Sequence, residues 1–94
     1  SVDVVSTTVG TADAEIDIEK ISSTSIDSGG SFASIFTTGK DIFVPTGKYT
    51  NKSAAAYELS SNTINKDDIF RLNVKNNGSG LSGISVQITV NITN

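Results

Sequence analysis

The chain has 94 residues, ten acidic and seven basic, for a formal net charge of −3, and contains neither cysteine nor histidine. A chain of this size forms one domain with a small core. The two absences exclude disulfide staples, thiolate metal sites, thiol nucleophiles and the usual general base. The basic residues Lys20, Lys40, Lys48, Lys52, Lys66, Arg71 and Lys75 are dispersed. With no basic stripe and no row of aromatic platforms, nucleic acid is not an expected partner. No apolar run approaches the roughly 18 residues that span a bilayer, so direct membrane insertion is not expected either. The chain begins at Ser1, which reads as a processed form or a segment of something longer.

From the N-terminus, Val2, Val4, Val5, Thr7, Thr8 and Val9 are β-branched or apolar and predict a strand closed by Gly10. From Ala12 to about Ile21 a second strand is expected, with Ala12, Ala14, Ile16 and Ile18 on one face and Asp13, Glu15, Asp17 and Glu19 on the other. Calcium requires six to eight oxygens wrapped around one point, and a straight row of carboxylates about 7 Å apart does not converge that way. The row reads instead as a solvated or edge strand with a lysine-bearing neighbour. Residues 22–31 read as a Ser/Thr/Gly loop anchored by Ile26, residues 32–36 as a short apolar segment, and Ile42, Phe43 and Val44 as a buried run ending in a Pro45–Gly47 turn. None of the Gly–Lys pairs has the spacing of a phosphate loop. Residues 52–60 mix helix-favouring alanines with turn-bounded shortness, and a strand with Ala56 or Tyr57 inward is the expectation.

The end of the chain carries the strongest pattern. Phe70, Leu72 and Val74 alternate with Arg71, Asn73 and Lys75; a break from Asn76 to Gly83 follows; then Ile84, Val86, Ile88, Val90 and Ile92 alternate with polar residues. This predicts a terminal hairpin whose apolar face, together with Ile16 and Ile18, forms the core. Seven or eight short strands separated by turns indicate an all-β fold, an antiparallel sandwich of jelly-roll type in one domain spanning 1–94.

No catalytic constellation is visible. Carboxylate-pair hydrolysis would have to use Glu58, Asp67 or Asp68, and no pair among them is singled out by context. Trp is absent and there are only two tyrosines, Tyr49 and Tyr57, so the aromatic platforms that dock sugars are missing. Asn51, Asn77 and Asn91 head Asn-x-Ser/Thr triplets, positions at which covalent glycans could be carried if the host glycosylates. No cofactor or metal is expected.

The run Asn65-Lys66-Asp67-Asp68, the strand Ile69 to Lys75, the Asn76-Asn77-Gly78-Ser79 turn and the alternating last strand resemble a pattern in extracellular filament proteins. They are similar to the TasA/camelysin-type biofilm fibre subunits and to the β-sandwich domains of archaeal pilin-type surface filaments. The resemblance covers about a third of the chain. It implies a structural, non-enzymatic role at the cell surface, with copies of the same chain as partners and no active site. It also implies a task for residues 1–10, with Val2, Val4, Val5, Thr7 and Val9 as a donor strand and Gly10–Thr11 as its hinge, since a terminal strand that completes a neighbour's sheet builds open filaments. Two other readings stay open: a monomeric adhesin or envelope-binding domain, and a virion or phage-tail decoration protein.

Overall fold

The computed structural model describes residues 1–60 and 63–90. It is an all-β, antiparallel architecture. Its strands are β1 (Val2–Val5), β2 (Ala14–Ser22), β3 (Ala33–Ser34), β4 (Ile42–Val44), β5 (Asp68–Asn77) and β6 (Ser85–Ile88), with one five-residue helix, α1 (Ser23–Asp27). β1 and β6 form a two-stranded sheet, and β2, β3, β4 and β5 form the other.

β2 is the central strand. β5 pairs along its whole length, from Ala14↔Asn77 to Ser22↔Asp68, while β4 (at Ala14–Ile16) and β3 (at Glu19 and Lys20) share its opposite edge. The strict alternation read from the sequence explains its position. Ala14, Ile16 and Ile18 are buried in the core, and the carboxylates project from the other face. The edge-strand reading is therefore corrected, whereas the expected basic neighbour is present: β5 sets Arg71 against Glu19 and Lys75 near Glu15. A bulge between Glu15 and Ile16 leaves Lys75 as the extra residue of β5.

The core consists of Val2, Val4, Ala14, Ile16, Ile18, Phe36, Ile42, Val44 and Leu81. Its centre is thus supplied by β1, β2 and β4 rather than by the end of the chain. Of the ten residues expected there, Ile16 and Ile18 are fully inside. Phe70, Ile84, Val86 and Ile88 pack against the cluster from its margin, and Leu72, Val74 and Val90 are exposed. Ile92 lies outside the described residues.

The predicted terminal hairpin does not form, since β5 pairs with β2 and β6 with β1. The reason lies in the break between them. Asn76 and Asn77 accept hydrogen bonds through their side-chain oxygens from the Gly78 and Ser79 amides, and Leu81 donates to the Asn77 carbonyl while burying its side chain in the core. Gly78 adopts φ +64° and its carbonyl accepts from Ala12. These local bonds turn the chain out of one sheet and deliver it to the other.

Two loop readings also change. Residues 23–27 are helical because the Ser22 hydroxyl caps the Ser25 amide at 3.2 Å, and Ile26 is exposed rather than an anchor. Residues 52–60 form neither strand nor helix. Only Leu59 bridges to Phe36, while Tyr57 turns inward and meets the Phe36 ring edge-on at 5.6 Å. The Pro45–Gly47 turn is as expected, closed by Lys48 donating to Pro45 and tied to the sheet by Thr46 donating twice to Asp13.

Candidate functional site

The residues singled out at the N-terminus occupy a built seat. In β1, Val2 and Val4 are buried in the core, Val4 fully, and Val5 is exposed; beyond the strand Thr7 is exposed and Val9 half-buried. One edge of β1 bonds to β6 in the register Val2↔Ile88, Asp3↔Gln87, Val4↔Val86 and Val5↔Ser85. Backbone amides alternate between the two edges of a strand. Those of Val2 and Val4 leave β1 on the other edge and are met by side chains. The Val2 amide donates to the Tyr57 hydroxyl at 2.8 Å and the Val4 amide to Asn51 Oδ1 at 3.0 Å; Asn51 Nδ2 in turn donates to the Val2 carbonyl at 3.3 Å. Asn51 thus presents one donor and one acceptor to a single strand, as a neighbouring backbone would.

The ends of the seat are equally specific. The Ser1 ammonium donates to the Thr89 carbonyl and the Thr89 amide to the Ser1 carbonyl. The Ser6 amide donates to the Tyr49 carbonyl at 2.8 Å, and both the Thr7 and Thr8 amides reach the Ser82 carbonyl. An open cleft of about 250 Å³ lies alongside, between Val2 and Asp3 on one side and Ile42, Phe43, Asn51 and Tyr57 on the other. The side-chain and terminal hydrogen bonds that hold residues 1–7 reach partners 43 to 88 positions away. β1 is therefore bound by its own domain much as a separate peptide would be, with backbone recognition on both edges and two valines filling the core.

The clamp was not legible in the sequence. Asn51 reads there as the head of a glycosylation triplet, and the structure engages both of its amide atoms with β1. Asn77 ends β5, exposed, with its oxygen accepting from Ser79, and Asn91 lies outside the described residues. Replacing Asn51 by alanine leaves a part-buried amide and carbonyl of β1 unpaired. A loss of about 1–3 kcal/mol is expected in urea unfolding, with Tyr57→Phe losing about 1 kcal/mol because the ring still packs on Phe36. Equal stability of Asn51→Ala and wild type would show that water replaces the clamp without loss.

On the far face of the larger sheet, the acidic row of β2 is matched group by group. Arg71 Nε donates to Glu19 at 2.7 Å and stacks over the Phe32 ring. Lys75 donates to buried Asp41 at 2.6 Å with Glu15 at 3.6 Å, and Ser34 donates to buried Asp17 at 2.6 Å. The hydrogen bond to Asp41 holds Lys75 above the ordinary lysine range, aided by the charges of Asp41, Glu15 and Asp17 and opposed by partial desolvation. Among the described residues no three His, Cys, Asp or Glu side chains converge as a metal site would require. Of the carboxylates considered for hydrolysis, Asp68 accepts from the Asn65 amide and pairs with Lys20, Asp67 sits at φ +67° in the turn before β5, and Glu58 is exposed in a loop.

Comparison of the chain with protein-family models, with curated proteins and with solved structures gave no match.

Proposed function

We propose that this chain is a structural subunit of an extracellular or cell-surface filament, pilus-like and non-enzymatic. In this reading its two sheets make a jelly-roll-like β-sandwich, and copies join when β1 of one fills the seat of the next. The observation that supports it is the β1 seat itself. Every hydrogen bond described there is made to residues far away in sequence, so residues 1–8 of a neighbour would reproduce each contact unchanged. Exchange then needs only residues 9–13 to be rerouted, and the head-to-tail arrangement it generates does not close. The closed form is favoured by an effective concentration on the order of millimolar for a short connection. Exchange therefore belongs to the crowded surface of a cell or to high protein concentration.

Deleting residues 1–10 does not test this reading, because removing Val2 and Val4 empties the core whichever copy supplies them. A covalent trap does. Asp3 and Gln87 stand directly opposite each other across the β1–β6 ladder, at a separation a disulfide spans, and the chain has no other cysteine. The full chain carrying Asp3→Cys and Gln87→Cys, oxidised at millimolar concentration, is expected to give a ladder of covalent multimers on a non-reducing gel, with fibres by negative-stain electron microscopy. A single band of intrachain-bridged monomer at that concentration would sink the proposal. The polar Ser/Thr/Asn surface would then belong to a monomeric surface domain.

A further inference from the structure

We infer a second self-association surface, independent of strand exchange: the outer edge of β5, which pairs antiparallel with β5 of a second copy about a two-fold axis centred on Leu72. β5 is the longest strand, at ten residues, and among the described residues it has one pairing partner, β2. Its other edge carries no proline, and its two cations are turned inward onto the sheet, Arg71 onto Glu19 and Lys75 onto Asp41. The charges that usually guard an exposed edge against pairing are thus committed elsewhere. By contrast, the outer edge of β1 is covered by Asn51 and Tyr57.

The side chains of β5 choose the occupant. Register with β2 sets Phe70, Leu72 and Val74 opposite Lys20, Ile18 and Ile16, so all three lie on the face that carries the core. Leu72 and Val74 nevertheless remain 44% and 39% exposed. A partner strand that continues this face must present apolar residues at alternate positions, and a second β5 does so. Keeping the apolar faces of both copies on one side requires the axis to pass through a residue rather than between two. Centring it on Asn73 sets Arg71 opposite the second copy's Lys75, and centring it on Arg71 opposes two guanidinium groups; like charges directly opposite destabilise a pair. Centring it on Leu72 sets leucine on leucine, Phe70 opposite Val74, Arg71 opposite Asn73 and Asp68 opposite Asn76. That register joins the two larger sheets into one and covers the residues each copy leaves exposed. The contact is isologous and closes as a dimer.

Because the chain lacks cysteine, the register can be read covalently. In the proposed dimer the two Leu72 positions lie about 4.5–5.5 Å apart between Cα atoms, within disulfide reach. Full-length Leu72→Cys is expected to oxidise to a covalent dimer well ahead of a control carrying Lys52→Cys, an exposed site away from β5. Phe70→Cys and Val74→Cys chains should crosslink when mixed and not when separate. Light scattering of the unmodified chain is expected to show a concentration-dependent dimer. Leu72→Cys crosslinking no faster than the control, or Phe70→Cys and Val74→Cys chains that fail to crosslink when mixed, would overturn the inference. Strand exchange, read at Asp3 and Gln87, would be untouched by either result.

Discussion

A chain carrying Val4→Asp is expected to lose its cooperative unfolding transition altogether. Val4 is fully buried, in a core cluster that has only nine buried members among the described residues. A carboxyl group placed there has no partner, and burying it unpaired costs several kcal/mol even when it takes up a proton. Removing the valine methyls takes away about 2 kcal/mol more. A domain of this length has in total only about 5–14 kcal/mol of stability, so the substitution consumes most of it. The neighbouring Val5→Asp is the control: Val5 is 48% exposed, and a change within about 0.5 kcal/mol is expected. Circular dichroism through a urea titration measures both. Similar midpoints for the two variants would mean that β1 does not sit with Val4 inward, and the seat described above would have to be abandoned.

The second large effect is expected from the smallest possible change, Gly10→Ala. A Cβ at Gly10 would run into the backbone carbonyl oxygen of Gly78, and a carbonyl within a hydrogen-bonded turn cannot rotate aside as a side chain would. The same junction holds two backbone hydrogen bonds, Ala12 donating to Gly78 and Gly47 donating to Gly10, both at 3.0 Å. Forcing the strands apart costs about 1–3 kcal/mol, with about 1 kcal/mol more for each bond lost. Gly39→Ala separates this clash from backbone strain. Gly39 has φ +77° but open space around it, and only about 1–2 kcal/mol for the left-handed conformation is expected. Thermal unfolding should rank Gly10→Ala well below Gly39→Ala; the reverse order would show that the 10–12 crossing yields. Gly10–Thr11, read as a hinge, is in this respect a packed joint, and strand exchange must open it.

The sequence alone determined what depends on neighbours along the chain. Period-two alternation marked β2 and β5 and assigned the faces of both, since side chains on a strand must alternate whatever the strand pairs with. The β-branched run at the N-terminus marked β1, Pro45–Gly47 marked a turn, and the acidic row of β2 called for basic residues beside it, which β5 supplies. The same local logic did not place Val2 and Val4 in the core, which it expected from Ile16, Ile18 and the end of the chain. It carried no information about which strand lies beside which. Alternation sets the face of a strand but not its neighbour, so the pattern of residues 69–92 looked like a hairpin. Only the tertiary structure sent β5 to β2 and β6 to β1, through Asx-type bonds at Asn76 and Asn77 and the anchoring of Leu81. That rearrangement moved the centre of the core to β1, β2 and β4 and left Leu72 and Val74 exposed on a strand with one pairing partner among the described residues. It also brought Asn51 and Tyr57, from a stretch with no regular structure, onto the open side of β1. Contacts between residues some fifty positions apart are set by how the whole chain closes, and no local pattern encodes them.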